Sequence, residues 1–249
     1  MVKMQVEIII PSKNELENLK IIIPIVRRLY NFNILVIDKS NNFKEVKKFC
    51  EKFKKTRYFF QKTNGKGNAM KEASQKAKGN ILVFFDADCS HDAGDIKKLI
   101  KPLMKDKRLD HVGGSRMRGG SDELFANKQH FFRLFGSLII NYVINLKFNT
   151  NLTDSQNGLR AIKKSVFKSC KILSRHTSIE MELVSKTLAY GYNYIEVPTH
   201  EWKRKFGVSK INLIKHSWAY CYQLLKICFY KKKKKKIKSF YKESSWYKK

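Results

Sequence analysis

The fold is decided by one short stretch, residues 81–91, which reads ILVFFDADCSH. Its first five residues are apolar, which is typical of a strand buried on both faces. Two carboxylates follow at once, Asp86 and Asp88, with Ala87 between them. Ligands gather at the carboxyl ends of strands in open α/β sheets, so this pair indicates a hard cation holding a phosphorylated ligand. Taken alone, the stretch fits a polar loop with an acidic helix cap equally well.

Strands and helices alternate on both sides of this stretch. Short apolar runs predict buried strands, and apolar residues at helical spacing predict the helices between them. Strands separated by helices of about 10–15 residues form βαβ units, so the pattern predicts an α/β fold with a mostly parallel central sheet. The predicted strands are 6–10 (stopped by Pro11), 33–37, 57–60, 81–85, 110–115, 159–162 and 194–197, and the predicted helices are 16–30 (kinked at Pro24), 43–53, 64–77, 92–104, 127–146, 178–190 and 211–230.

Acidic residues follow three of the predicted strands. Glu15 follows the first strand, Asp38 the second, and the pair Asp86 and Asp88 the fourth. The carboxyl ends of parallel strands share one edge of a sheet, so we expect these acids to converge, with Asp38 accepting hydrogen bonds from a base or ribose. The chain has neither the phosphate-loop pattern GxxxxGK[ST] nor the dinucleotide pattern GxGxxG, and we reject both.

The second half of the chain contributes basic residues instead. The predicted helix 127–146 is apolar on most of its circumference but carries Arg133 and Ser137 on one face. A basic loop is predicted at residues 116–120. Arginine suits phosphate oxygens because its fork is bidentate. The candidate anion-binding residues are Arg116, Arg133, Arg204 and Lys210. A metal-bound diphosphate facing several arginines fits transfer from a nucleotide conjugate to an anionic acceptor.

The last 39 residues differ in composition from the rest. Residues 211–230 are rich in large apolar side chains at helical spacing, and six lysines follow at 231–236. An apolar helix face beside a polybasic run is typical of a segment that lies on an anionic membrane surface. A core helix followed by a solvated tail is the alternative.

The overall composition narrows the function classes. The formal charge of +31 attracts polyanions, although lysine-rich genome composition also explains part of it. No RNA-recognition aromatic pattern or zinc motif is present, so we expect no specific nucleic acid partner. Five scattered cysteines without a CxxC fit a reducing compartment. We see no secretory signal and no stretch apolar enough to span a membrane, which predicts a protein that is peripheral on the cytoplasmic face of a membrane.

Ten motifs, taken in order, resemble family 2 nucleotide-sugar glycosyltransferases of the dolichyl-phosphate mannose synthase-like branch. They span residues 6–210, and together they are far more specific than any one alone. The motifs are IIIPSKNE (8–15), VID (36–38), GKGNA (65–69), DADCSHD (86–92), GGSR with a following GG (113–120), the Arg133/Ser137 pair, TDSQNGLRA (153–161), IEME (179–182), EVP (196–198) and RKFGVSK (204–210).

The resemblance implies a fold and a set of site residues. The fold would be a single Rossmann-like nucleotide-sugar-binding catalytic domain over residues 1–210. The composition of the remaining residues predicts an amphipathic helix at 211–230 and a polybasic tail at 231–249. Asp88 and Arg116 would be catalytic, and Asp88, Asp86 and Ser90 would hold the metal. The implied substrate-binding residues are Pro11, Lys13, Glu15, Val36 and Asp38 around the nucleoside, Lys66, Gly67, Asp86, Ala87 and Asp88 around the sugar diphosphate, Arg116, Arg133 and Ser137 at the lipid phosphate, and Arg204 and Lys210 on a closing loop.

The resemblance also implies a reaction. A hexose, with mannose favoured, would move with inversion from a nucleoside-diphosphate sugar to a polyprenyl or dolichyl phosphate, with Mn²⁺ or Mg²⁺ as cofactor. The acceptor phosphate is ionised near pH 7, so positioning and electrostatics suffice without a strong base. The Asp38-Lys39-Ser40-Asn41 stretch departs from the usual acid-acid-Gly-Ser, which leaves both GDP-mannose and UDP-glucose open. A UDP-sugar donor with another lipid or glycan acceptor is the alternative, and a small membrane-anchoring subunit is a further expected partner.

Overall fold

The computed structural model describes residues 4–122, 128–206 and 213–231. The strands are β1 (Val6–Ser12), β2 (Asn33–Asp38), β3 (Thr56–Phe60), β4 (Ile81–Phe84), β5 (Leu109–Ser115), β6 (Arg160–Lys163) and β7 (Asn193–Pro198). The helices are α1 (Leu16–Leu29), α2 (Phe43–Cys50), α3 (Lys66–Lys76), α4 (Asp95–Lys105), α5 (Arg116–Gly119), α6 (Lys128–Phe148), α7 (Lys164–Ser169), α8 (Ile179–Ala189) and α9 (Leu213–Phe229).

These strands form one sheet in the order β3-β2-β1-β4-β6-β5-β7. All neighbouring pairs are parallel except those of β6, which runs antiparallel to both β4 and β5. The predicted α/β fold with a mostly parallel sheet is therefore confirmed, with one reversed strand near its centre. In the parallel part, β2, β1 and β4 end at the same edge, which brings the loops after them together.

Helices cover both faces of the sheet. Side chains alternate along a strand, so Ile8 and Ile10 of β1 join one core cluster and Ile9 joins the other. The first cluster includes α1, α2 and α4, and the second includes α3, α7 and α8. A third cluster joins α6, α8 and α9. Burial on both faces explains why the strands read as continuous apolar runs.

Several predicted boundaries were wrong. β1 continues through Pro11, whereas its pairing with β4 stops at Ile9. Beyond Ile9 only the side of β1 that faces β2 is paired, so a residue without a backbone N–H is tolerated there. By contrast, the predicted helix over 16–30 is confirmed as α1, which contains Pro24 and ends at Leu29. The predicted basic loop at 116–120 contains the short helix α5, and α4 begins at Asp95 after a turn closed on Asp92.

The C-terminal region contains the helix α9, which packs against α6 and α8. The predicted domain boundary at residue 210 and the lysines after Lys231 lie outside the described residues. Within the described ranges, no helix is both long and apolar enough to cross a bilayer.

The central core predicts a clear stability difference between two aliphatic positions. Ile9 is fully buried, whereas Leu29 at the end of α1 is 48% exposed. Ile9→Ala should lower the free energy of unfolding by about 2–5 kcal/mol through lost burial and a residual cavity. Leu29→Ala is the matched control and should change it far less. Chemical denaturation measures both, and equal effects of the two substitutions would contradict this packing.

Candidate active site

Asp88 lies in an ionic cluster at the carboxyl edge of the parallel strands. Its Oδ2 accepts a hydrogen bond from Arg204 Nη2 at 2.7 Å. Arg204 Nη1 lies 3.7 Å from Oε1 of Glu15. The Ser90 hydroxyl donates to Asp88 Oδ1 at 2.6 Å, and the Ser90 backbone N–H donates to the same oxygen. The structure therefore brings together the acids that follow β1 and β4, with one guanidinium between them.

Asp86 belongs to a second cluster. Lys66, the first residue of α3, lies 2.6 Å from Asp86 Oδ1 and 2.7 Å from Oε1 of Glu180 on α8. His91 Nε2 is 3.7 Å from the other Asp86 oxygen. Burial alone would raise the pKa of Asp86, but Lys66 and His91 outweigh it and the pKa lies well below its usual range. Burial would lower the pKa of Lys66, but Asp86 and Glu180 outweigh it and raise that pKa.

A glycine allows the 153–158 turn to pack directly on this cluster. A Cβ atom at Gly158 would lie 2.8 Å from Lys66 Nζ and even closer to Asp86 Oδ2. Any side chain at position 158 would have to displace Asp86 or Lys66, so glycine keeps their ion pair intact. Sequence reasoning missed Gly158 and assigned Glu180 only to the helix dipole. Their motifs, TDSQNGLRA and IEME, were visible, but the contact with Asp86 was not.

Arg116 forms ion pairs with two carboxylates, those of Asp154 and Glu201. Its Nε and Nη2 donate to the two oxygens of Asp154 at 2.7 and 2.9 Å, and Nη1 lies 3.3 Å from Glu201. Burial alone would lower the pKa of Arg116, but Asp154 and Glu201 raise it. This bidentate pair fixes the end of β5 to the 153–158 turn. Contact of Arg116 with a lipid phosphate stays a prediction.

Asp38 is fully buried at the end of β2. It accepts hydrogen bonds from the Ser40 hydroxyl at 2.5 Å, the Ser40 N–H at 3.2 Å and the Tyr58 hydroxyl at 3.3 Å. Burial raises the pKa of Tyr58, and the nearby Asp38 charge raises it further. The Tyr58 hydroxyl therefore stays protonated and donates its hydrogen bond. Asp38 therefore already accepts hydrogen bonds from donors within the protein. A direct contact of Asp38 with a base stays a prediction.

A cleft of about 370 Å³ lies beside the first ionic cluster. The loops after β1 and β2 form it, and hydrogen bonds from the Asn14 N–H to Ser40 Oγ and from the Asn41 N–H to Asn14 Oδ1 tie them together. Its volume lies in the range of small-ligand pockets. It is lined by Asn14, Glu15, Leu16, Glu17, Asn18, Asn41, Asn42 and Phe206. This cleft is the candidate nucleoside pocket.

The remaining predicted residues are spread between surface and core. Pro11 is half-buried and Lys13 is exposed, while the side chains of Val36 and Ala87 lie in the core cluster beneath α1 and α4. Gly67 packs against the backbone of Ser174 and Arg175. Ser137 is buried on α6, and among the described residues its hydroxyl has no hydrogen-bond partner. Lys210 and the Arg133 side chain lie outside the described residues.

No described side chain shows the features of an activated nucleophile. Cys89 lies beside Asp88, but burial raises the pKa of its thiol to about 11, so the thiol stays protonated at neutral pH.

The donor atoms at the edge suit a cation shared with a ligand. Within the described residues, no group of three or more His, Cys, Asp or Glu side chains is arranged to hold a metal ion by itself. Asp88 and the Ser90 hydroxyl offer hard oxygen atoms at one point. Mg²⁺ is usually held by one or two carboxylates plus substrate phosphates, so this small donor set fits a cation that also binds a diphosphate.

A twisted α/β sheet with a nucleoside-sized cleft and carboxylates at its carboxyl edge belongs to the class of nucleotide-binding α/β proteins. The family model described as glycosyl transferase family 2 matches residues 7–170, more than half of the chain. The chain belongs to this family, which confirms the resemblance found in the sequence.

Two curated relatives extend the comparison. A UDP-N-acetylglucosamine–dolichyl-phosphate N-acetylglucosaminyltransferase of Methanococcus voltae is 29% identical over 180 residues, 65% of this chain and 70% of the relative. The glycosyltransferase AglD of Haloferax volcanii is 25% identical over 153 residues, 61% of this chain but 23% of the relative. The chain therefore matches a small part of the second protein.

A solved structure gives the same fold. Glucosyl-3-phosphoglycerate synthase of Mycobacterium tuberculosis, in complex with Mn²⁺, UDP and glucosyl-3-phosphoglycerate, matches with a TM-score of 0.69 at 15% identity. The match covers 90% of this chain and 80% of that one. At 15% identity, this structural likeness shows only that the two proteins share a fold.

The Asp86 cluster predicts a pH-dependent stability difference. Because its pKa is depressed in the folded state, the Asp86 carboxylate stabilises the fold above the ordinary value of 3.8, and that contribution is lost as the pH falls through the folded-state pKa. Asp86→Asn should therefore be less stable than wild type at pH 7, with a difference that narrows toward pH 3. Urea denaturation across this range measures it.

The control for this prediction is Glu51→Gln, which removes a carboxylate whose side chain is 59% exposed. The free energy of unfolding of Glu51→Gln should differ little from that of wild type at every pH. A constant gap between Asp86→Asn and wild type from pH 7 to pH 3 would contradict the assigned charge state.

Proposed function

We propose that this protein transfers a sugar from a UDP-sugar, with UDP-N-acetylglucosamine as the first candidate, to a polyprenyl phosphate. The observation that carries the proposal is the carboxyl edge of the sheet, where the cleft adjoins Asp88, Ser90 and Arg204. Such an edge offers a nucleoside pocket, oxygen ligands and a phosphate-binding guanidinium within one site. The Methanococcus voltae relative, which acts on dolichyl phosphate, supports the acceptor class.

The uridine donor is favoured over the guanosine donor by the hydrogen bonds at the cleft. Guanine presents N–H donors on adjacent positions, which suits a free carboxylate, whereas uracil presents one N–H between two carbonyl groups and suits amides. Asp38 already accepts from Ser40 and Tyr58. Glu15 is engaged by Asn18 and Arg204, and several asparagines line the cleft. We therefore put UDP-sugars ahead of GDP-mannose, the sugar nucleotide favoured by the sequence motifs.

The chemistry requires little from the protein beyond binding and orientation. The bond between the anomeric carbon and the donor diphosphate breaks, and an acceptor phosphate oxygen forms the new bond from the opposite side. That oxygen is ionised near neutral pH, so no strong base is needed. Asp88, with Ser90 beside it, would hold Mn²⁺ or Mg²⁺, and such a cation would supply positive charge next to the departing diphosphate.

Three cationic side chains complete the proposal. Lys66 is a positioning residue that fixes Asp86 between α3 and α8, facing the sugar. Arg204, now paired with Asp88, provides a phosphate ligand for the bound donor. On the acceptor side, Arg133 and Ser137 of α6 would bind the lipid phosphate, next to the turn fixed by Arg116.

Incubation of the purified protein with labelled sugar nucleotides, Mn²⁺ and dolichyl phosphate tests the reaction. Organic-extractable labelled product should form from UDP-N-acetylglucosamine or another UDP-sugar. Asp88→Asn should lower turnover by more than about 100-fold. Loss of a group that orients a metal ligand costs up to about 100-fold, and loss of the ligand itself should cost at least as much. Asp92→Asn, an exposed acid of the same motif, should keep near wild-type turnover.

Failure to form extractable product with any donor would refute a polyprenyl-phosphate acceptor. Product from GDP-mannose alone would replace the uridine assignment while leaving the reaction class intact. Equal activity of Asp88→Asn and wild type would remove Asp88 from the proposed centre.

The acceptor class has a separate test at Arg133. Arg133→Ala should raise the Michaelis constant for dolichyl phosphate at least about tenfold, through loss of a charge-assisted phosphate contact, with a smaller effect on the donor constant. Lys101→Ala, a basic surface residue on α4, is the control and should change neither constant. An unchanged acceptor constant in Arg133→Ala would favour the alternative family 2 reaction with another lipid or a glycan as acceptor.

A further inference from the structure

Two helices, α6 and α9, present large apolar side chains to solvent. On α6 and α9 these side chains are between 43% and 82% exposed. Their spacing of three, four or seven residues places them on one stripe along each helix. The α6 stripe consists of Phe135, Leu138, Ile139, Tyr142 and Leu146, and the α9 stripe of Trp218, Tyr222, Leu225 and Phe229.

The two stripes adjoin each other. The opposite sides of the helices pack together in one core cluster, where Ile144 and Ile227 are fully buried. Lys147 Nζ donates a hydrogen bond to the Cys228 carbonyl oxygen at 2.5 Å. The neighbours of these two residues, Leu146 and Phe229, are the last members of the two stripes, so the stripes meet at the carboxyl ends of the helices.

This concentration of apolar side chains is unlike ordinary surface scatter. In the part of the chain that the structure describes, sixteen large hydrophobic side chains are exposed, and nine of them belong to the two stripes. Isolated apolar residues on a surface need no explanation, but a contiguous patch marks a binding surface. The inner faces of both helices are buried against α8, so within the described residues the two stripes face away from the core.

The charges around the patch identify what it meets. Neither helix contains an acidic residue, and Lys147, Lys226 and Lys231 lie along or just after them. The sequence continues with lysines at 232–236. Lys226 Nζ lies 4.3 Å from the centre of the Tyr222 ring, with its charge at the rim of the apolar stripe. Two copies of a chain with a charge of +31 repel each other, whereas anionic headgroups complement it.

We propose that α6 and α9 together form the surface by which this protein lies on an anionic bilayer, with the two stripes immersed among the lipids. The sequence predicted such a role for residues 211–230; the structure adds α6 as an equal half. Trp218 and the tyrosines have the amphipathic rings that favour the membrane–water interface, and the lysines face the headgroups.

The surface also connects to the candidate site. On the inner side of α6, Asn141 donates to the Thr153 carbonyl and accepts from Ser155. Thr153 begins the turn whose Asp154 holds Arg116. A bilayer beneath α6 would therefore lie one helix away from the turn at the acceptor side. This connection rests on the proposed function, whereas membrane binding does not.

Vesicle sedimentation of the full-length chain tests the proposal. The protein should bind vesicles containing phosphatidylserine and should bind pure phosphatidylcholine at least tenfold more weakly. Leu138→Ser/Leu146→Ser on α6 and Trp218→Ser/Phe229→Ser on α9 should each weaken binding at least tenfold. Leu29→Ser/Leu173→Ser replaces two apolar side chains that are exposed elsewhere and should bind like wild type.

Each outcome decides the proposal. Absence of binding by wild type, or equal binding by the α6 variant and wild type, would overturn it. A concentration-dependent dimer in sedimentation equilibrium that the same variants abolish would assign the patch to a second copy instead. Circular dichroism and UDP-induced thermal stabilisation verify that each variant is folded. The sedimentation assay uses no sugar nucleotide, so its failure and a failure of the proposed transfer are distinguishable.

Discussion

The ion pairs around Lys66 are the constraint on which the site depends. A largely buried ammonium is costly unless its partners approach closely, and here Asp86 and Glu180 both lie within 2.7 Å of Lys66 Nζ. These partners come from the loop after β4 and from α8, while Lys66 itself opens α3. The three elements must therefore meet at one point before the charges are compensated. Gly158 allows a fourth segment to close over them.

The antiparallel strand β6 also helps to hold together the segments that meet around Lys66. It pairs Arg160 between Phe84 of β4 and Gly113 of β5. The Arg160 side chain is almost fully buried and donates to backbone carbonyls of Asn157 and Glu180. Since these carbonyls belong to the 153–158 turn and to α8, one guanidinium fastens both to the sheet. The β3-β2-β1-β4 half of the sheet is regular and parallel, whereas the segments around β6 are held by such long-range polar contacts.

The sequence predicted the regular half well for a physical reason. Strands buried on both faces must be apolar throughout, so 81–85 and 33–37 were recognisable, and parallel pairing then brings Glu15 and Asp88 to one edge. Partners of individual side chains were not predictable, because they depend on distant segments. The sequence assigned Asp38 to a base or ribose and Arg116 to an anion, but it gave no sign that Tyr58 and Ser40 donate to Asp38 or that Asp154 pairs with Arg116. The four residues of β6 carry too short a pattern to reveal their antiparallel position.

The Glu15–Arg204–Asp88 bridge has a thermodynamic consequence. Arg204 is already paired with Asp88, so a divalent cation held by Asp88, as proposed above, would have to compete with this attached cation. A bound nucleoside diphosphate would offer Arg204 another anion and would remove that competition. Cation and nucleotide should therefore raise each other's affinity by the same factor, since such coupling is reciprocal. The arginine would thus act as a tethered competitor, and cation affinity measured without nucleotide would be lower than the affinity measured with nucleotide bound.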